Sequence, residues 1–156
     1  MIPWQELGRA EVPGEHAPLI LAQRGEEFVI RIGAAALMSS RAHGSEEVLA
    51  ELACHGLADR ADARVLIGGL GMGFTLAAAL RELSPTASVV VAELMPAVVE
   101  WNRGPLSHLA GHRLTDPRAS VRVGDVRDAI AERTEAWDAI LLDVDNGPDG
   151  LSQSVN

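Results

Sequence analysis

Four glycines in six residues, Gly68, Gly69, Gly71 and Gly73, follow directly on the apolar, β-favouring run Val65-Leu66-Ile67. After them comes FTLAAALREL, a strong helix former with apolar positions at Phe74, Leu76, Ala77, Leu80 and Leu83. The order predicts a strand, a tight turn and a helix running to about Leu83. Glycine lacks a Cβ, so the backbone can turn sharply there and come close to a ligand. The first amides of the following helix present N–H groups that the helix itself does not use. Such a unit opens nucleotide-binding α/β sheets, and it requires the rest of the chain to supply parallel strands beside it. The dinucleotide fingerprint G-x-G-x-x-G fails here, because the third position after Gly69 and Gly71 is Phe74. The spacing present is G-x-G-x-G, at Gly69, Gly71 and Gly73.

The remaining chain supplies those strands. Ser88–Ala92 reads as a second strand ending in Glu93, and Ser120–Val123 as a third followed by Gly124-Asp125. Ala139–Leu142 reads as a fourth, ending in Asp143. Helices are expected at 96–102, with Pro96 at its start, and at about 126–133; residues 103–117 suggest partial helix under a loop. Strands alternating with helices predict an α/β fold with a Rossmann-like parallel sheet and flanking helices. Ahead of it, Leu19–Gln23 and Glu27–Ile32 form a predicted hairpin about Arg24-Gly25-Glu26, with a third short strand at 37–39. Met1 to about Gly14 reads as irregular, broken by Pro3 and Pro13. A helix is expected to open at Gly44 or Ser45, bury a stripe of Val48, Leu49, Leu52 and Ala53, and stop at Gly56. Two domains are therefore expected, a β-hairpin unit at 1–43 and the Rossmann-like unit at 44–156.

Ligands of open parallel sheets lie at the carboxyl ends of the strands, and each predicted strand here ends in a ligand-type residue. Glu93 stands 20 residues beyond Gly73, the spacing at which an acid meets ribose; a carboxylate can accept from both the 2′ and 3′ hydroxyls. Asp125 is placed to accept from an exocyclic adenine amino group, and Asp143 to lie next to the reactive end of the ligand. The net charge of −9 lacks the basic face that a general nucleic-acid binder needs. It suits a cationic substrate such as an amine, and it equally suits a plain solubilising surface. No apolar run approaches a membrane span and no basic-then-apolar leader opens the chain, so no membrane partner and a cytoplasmic location are expected. The single Cys54 excludes an internal disulfide, and it reads as a small apolar residue on a helix. His108 and His112 are spaced i, i+4 but have no third ligand in view, so no metal site is expected. Trp101 and Trp137 read as core or adenine-edge residues.

The stretches VLIGGLGMG, VVVAELMPAVVEWNR, VRVGDVRDAI and WDAILLDVDNGPDG, in this order, resemble the class I S-adenosylmethionine-dependent methyltransferase superfamily, in which G-x-G-x-G is the usual glycine form. Within it they resemble the spermidine synthase (polyamine aminopropyltransferase) branch, whose β-domain and first helix sit where the N-terminal β-unit and LMSSRAHGSEEVLAELA fall. The resemblance implies that Gly69, Gly71 and Gly73 cradle the methionine portion of S-adenosylmethionine or decarboxylated S-adenosylmethionine, that Glu93 binds the ribose and Asp125 the adenine. Asp143 then matches the first acid of D-x-x-D, which helps deprotonate an attacking amine, and Asp145 and Asn146 lie in the substrate pocket. The implied reaction is aminopropyl or methyl transfer to a small-molecule substrate. The chain departs from the branch at three places. Gly71 stands where GGGDGG has its acid, Asn146 stands at the second acid of D-x-x-D with Asp145 one residue earlier, and there is no tyrosine to line an amine pocket. These departures leave open a second class, a non-catalytic binding or assembly subunit on the same fold. A nicotinamide-dependent oxidoreductase is disfavoured by the glycine spacing. Thirteen residues follow Asp143, too few for a further parallel crossover and strand, so the C-terminal strands of the full fold are expected to be missing. Residues 139–142 would then form an exposed edge, which either another chain covers, by homo-oligomer pairing or a partner, or which leaves a truncated form of compromised stability.

Overall fold

The computed structural model describes residues 1–132 and 137–143. They divide into two compact units, Met1–His43 and Gly44–Asp143. The first is an antiparallel sheet of β1 (Gln5–Ala10), β2 (Leu19–Arg24), β3 (Glu27–Ile32) and β4 (Ala35–Ser39), in that spatial order. Pairing of Arg24 with Glu27 and of Ile32 with Ala35 leaves two-residue turns, Gly25-Glu26 and Gly33-Ala34. Gly25 and Gly33 have φ of 61° and 56°, while the residue after each does not have positive φ. These are the glycine-first turns whose twist matches that of the flanking strands. Leu19–Ala22 and Phe28–Ile30 carry the buried side chains of this sheet.

The irregular reading of Met1–Gly14 is corrected by β1, which pairs with β2 across a bulge between Glu6 and Gly8. QELGRA has no apolar alternation to reveal it. It is an edge strand whose order comes from the ladder with β2, and the bulge is a common device at such edges.

The second unit runs α1 (Gly44–His55), β5 (Arg64–Gly68), α2 (Phe74–Glu82), β6 (Ser88–Glu93), α3 (Pro96–Arg103), β7 (Ala119–Val123), α4 (Val126–Ala131) and β8 (Ala139–Leu142). Its strands are parallel, in the order β7-β6-β5-β8. The α/β class, the parallel sheet with flanking helices and the antiparallel N-terminal sheet agree with the sequence. Strand β5 lies inside the sheet, and Val65, Leu66 and Ile67 are completely buried, which is why it reads as a continuous apolar run rather than an alternating one. Strand β8 is an edge of the sheet among the described residues, with Ile140 and Leu142 exposed. No helix among the described residues is long and apolar enough to cross a membrane. Trp101 is buried, and Trp137 packs against the cluster of Leu66, Ala92 and Ala129, so both serve the core.

The face of α1 is a second correction. Val48, Leu49 and Leu52 are 52%, 44% and 75% exposed, and Ala50 and Cys54 are the buried residues. Helix α1 packs on α2, which is itself alanine-rich. Small side chains let the two backbones approach, so the bulky residues do not mark the contact. Beyond Arg103, which still belongs to α3, residues 104–117 form turns with one 3-10 turn at Arg113–Thr115. Gly104, Pro105 and Gly111 interrupt any longer helix, while Leu106 anchors the segment in the core.

Burial pushes the Cys54 thiol up to about 11, with the charge of Glu82 adding to the effect. Cys54 is expected to react with a thiol reagent at pH 8 about a hundredfold or more slowly in the native chain than in urea, since the thiolate is the nucleophile. Stoichiometric labelling of native protein within minutes would contradict this placement.

Candidate functional site

The site lies at the carboxyl ends of β5, β6, β7 and β8. Three backbone hydrogen bonds keep those ends level: Gly69 N to Ala92 O at 2.8 Å, Gly124 N to Glu93 O at 2.8 Å, and Asp143 N to Gly68 O at 2.8 Å. The Gly124-Asp125 step after β7, Glu93 after β6, the glycine turn after β5 and Asp143 after β8 are thus successive positions along one end of the sheet.

Gly69, Gly71 and Gly73 have φ of 99°, 54° and 85°, backbone that a residue with a Cβ adopts at a cost. Gly73 is also the cap of α2, with no side-chain hydrogen bond to the helix amides, so the positive end of α2 faces the turn. A Cβ at Gly73 would approach Asn102 Oδ1 and Ala110 Cβ to 3.4 Å. At the strand end before the turn, a Cβ at Gly68 would lie 2.9 Å from Val126 Cγ2 and 3.2 Å from Leu142 Cδ2. Beneath the turn, Leu70, Met72, Leu76, Asn102, Leu106 and Leu114 line a cavity of about 10 Å³, room for roughly one water.

Glu93 is 8% exposed. Oε1 accepts from Leu70 N at 3.0 Å and Oε2 from Met95 N at 2.9 Å. The carboxylate thus ties the glycine turn to the start of α3. A carboxylate offers about four acceptor sites, so two backbone bonds leave capacity for hydroxyls. Asn102 on α3, also buried, donates from Nδ2 to Gly71 O at 2.7 Å and to Val98 O at 2.8 Å. Asp125 caps α4 and accepts from Arg127 N at 2.8 Å. Its carboxylate also pairs with the Arg127 guanidinium, Oδ2 to Nη2 at 2.7 Å, which holds it below the usual carboxylate range. Asp143 Oδ2 accepts from Thr75 Oγ1 at 2.7 Å, which brings it to the first turn of α2. Asp145 and Asn146 lie outside the described residues. Among the described residues no group of three His, Cys, Asp or Glu side chains is placed to hold a metal.

Sequence reasoning missed Asn102 and Thr75. Their only trace is a polar side chain on the buried side of a helix, where it must find a hydrogen-bond partner.

An open parallel sheet with a positive-φ glycine turn after its inner strand, a small antiparallel sheet preceding it, has the methyltransferase-like α/β architecture. More narrowly, the chain is similar to polyamine aminopropyltransferases in sequence and to spermidine synthases in fold. Two curated polyamine aminopropyltransferases match it over 81 residues: that of Synechococcus sp. (strain JA-3-3Ab) at 38% identity and that of Korarchaeum cryptofilum (strain OPF8) at 32%, in each case 52% of this chain. The matches cover 26% and 25% of those relatives. The crystal structure of spermidine synthase from Thermotoga maritima superposes with a TM-score of 0.70 at 18% identity, covering 89% of this chain and 47% of the other. A spermidine synthase in complex with the transition-state analogue AdoDATO gives the same values. A putative O-methyltransferase from Klebsiella pneumoniae gives a TM-score of 0.50 at 25% identity, over 67% of this chain and 45% of the other. No protein-family profile matches the chain. The chain thus spans about half the length, or less, of the proteins it matches.

Proposed function

We propose that this chain carries the donor site of a spermidine-synthase-like transferase, which moves an aminopropyl or methyl group from an adenosyl-sulfonium donor to a small acceptor such as an amine. In this reading residues 1–43 are a small β-domain and residues 44–156 the donor-binding domain. The observation that carries it is the glycine turn held at two successive residues, by Glu93 on Leu70 N and by Asn102 on Gly71 O, with Asp143 at the neighbouring strand end. The parts fit an adenosyl-sulfonium compound. The positive-φ turn keeps Cβ atoms away from the methionine portion, Glu93 has acceptor capacity left for ribose hydroxyls, and Asp125 stands beside β7 for the adenine amino group.

The chemistry asks little more than alignment. The amine lone pair attacks the carbon next to the sulfonium, the C–N bond forms, and the C–S bond breaks with its electron pair leaving on sulfur as a neutral thioether. The proton shed by the new ammonium passes to Asp143. Holding the two reactants in line contributes the larger share of the acceleration, and a carboxylate near the amine stabilises the charge that develops on it. A second reading, a nucleotide-fold binding or assembly subunit without turnover, is favoured by Gly71 in the acid's place and by the absence of tyrosine.

Calorimetric titration of the chain with S-adenosylmethionine, its decarboxylated form, methylthioadenosine and NAD tests the proposal. Binding of the adenosyl-sulfur compounds and not of NAD is the expected result, with affinity falling about tenfold or more in Asp125→Ala, the loss of one charge-assisted hydrogen bond. The preferred donor then separates methyl from aminopropyl transfer. Absence of binding to all four would overturn the donor site, and binding without product release in any donor–amine mixture would favour the second reading.

A further inference from the structure

We propose that Thr75 is a positioning residue for Asp143. The proposal deepens the reading of Asp143 as proton acceptor and rests on it. Thr75 is 1% exposed, in the first turn of α2, and its Oγ1 donates to Asp143 Oδ2 at 2.7 Å across 68 residues of sequence. That is the usual distance of a well-formed hydroxyl–oxygen hydrogen bond. A helical threonine ordinarily turns its hydroxyl back to the carbonyl four residues earlier, here that of Gly71. That carbonyl accepts from Asn102 Nδ2 at 2.7 Å, and the Thr75 hydroxyl is turned to Asp143 instead. The main chain of Asp143 is fixed from a different element, its N–H donating to Gly68 O on β5. Backbone and side chain of Asp143 are therefore set by β5 and α2, the two elements that flank the glycine turn. With Oδ2 committed to Thr75, the rotamer of the carboxylate is defined relative to the turn that receives the donor. A buried hydroxyl on a core-facing helix position has no packing purpose that valine would not serve as well, since valine has nearly the same shape.

The test compares Thr75→Val, which keeps the shape and removes the donor, with Thr75→Ser, which keeps the donor. Asp143→Asn is the control for the underlying reading. Methylthioadenosine or S-adenosylhomocysteine release is followed with a diamine acceptor and either donor. Thr75→Val is expected to lower kcat about tenfold with the donor KM within about twofold of wild type, and Thr75→Ser to recover kcat to within about threefold, because a misplaced group costs rate rather than affinity. Unchanged kcat in Thr75→Val beside a large loss in Asp143→Asn would overturn the positioning role and leave Asp143 as the acceptor. Unchanged kcat in Asp143→Asn would overturn the acceptor reading, and the proposal with it. Equal losses in the valine and serine variants would also overturn it, since packing and not the hydroxyl would then be at issue. A readout independent of turnover is the Thr75 hydroxyl proton in NMR. It is expected as a resolved, slowly exchanging resonance that disappears in Asp143→Ala, and its absence from the wild-type chain would overturn the proposal whether or not the chain turns over.

Discussion

Glu93→Gln is expected to destabilise the chain by about 2–4 kcal/mol, close to the effect of Glu93→Ala. Each buried backbone donor left without a partner costs about 1–3 kcal/mol, and the two Glu93 oxygens serve one donor each, Leu70 N and Met95 N. Alanine removes both acceptors. Glutamine keeps one oxygen, but its amide nitrogen brings a donor against the other N–H, so a substitution of nearly equal size and shape still breaks the arrangement. The effect is also local. Amide hydrogen exchange of Leu70 and Met95 should accelerate in both variants, and the urea midpoint should fall. A Glu93→Gln chain with the wild-type midpoint and wild-type protection at both amides would show that the carboxylate does not hold the turn. The same experiment bears on ligand affinity, since a turn that has lost its tie to α3 no longer presents an ordered cradle.

Arg118→Met is expected to cost about 2–4 kcal/mol at neutral pH. The guanidinium joins two elements that are distant in sequence. Nη1 donates to the carbonyls of Leu80, Leu83 and Ser84 at 2.9, 3.0 and 3.3 Å, where the last turn of α2 has carbonyls without helical partners. Nε and Nη2 bind Asp116 Oδ1 and Oδ2 at 3.1 and 2.9 Å. Methionine matches much of the aliphatic stem and none of the donors. The hydrogen bonds from Arg118 hold the Asp116 carboxyl below the ordinary aspartate range. A group whose folded pKa is depressed contributes stability that is fully present above its unfolded value, about 3.9 for aspartate, and is lost as the pH falls through the lower folded value. The gap in urea midpoint between wild type and Arg118→Met should therefore be constant from about pH 7 to 5 and narrow as the pH falls toward about 2. A gap that widens in acid would contradict the pairing.

The parts of the fold legible in the sequence are those in which local preference and tertiary role coincide. Val65–Ile67 followed by glycines marks an inner strand and a turn whatever surrounds it, and the β2–β3 hairpin is written in two apolar runs separated by a glycine turn, whereas the tighter return at Gly33-Ala34 into β4 is not. Strand β1 was not legible, because QELGRA carries no apolar alternation and owes its order to β2. The face of α1 was misread for a related reason. The bulky residues of α1 suggest the buried stripe, whereas Ala50 and Cys54 are its buried residues and Leu52 is in solvent. At the site, the acids could be placed at strand ends, but not what their carboxylates already hold. Glu93 and Asp125 both accept backbone amides, and nothing in a sequence separates an acid that caps a helix from one that faces a ligand. Thr75 and Asn102 sit in FTLAAAL and PAVVEWNR as single polar letters, and only their burial shows that each must have a partner.

The two sheets also differ in how far apart along the chain their neighbours lie, and that has a consequence for synthesis. In the first unit β2, β3 and β4 meet through two-residue turns, and hairpins of this kind close within about 1–10 μs. In the second, β5 meets β8 across 74 residues, as the bond from Arg64 N to Asp138 Oδ2 records. Chain emerging at about 5–20 residues per second leaves the Val65–Ile67 strand waiting several seconds for that neighbour. Throughout this interval one side of an apolar strand offers its backbone groups to any passing extended segment. The vulnerable moment in the life of this protein therefore falls during translation, and the glycines immediately after the strand, poor partners in any ladder, limit how far a wrong pairing can extend.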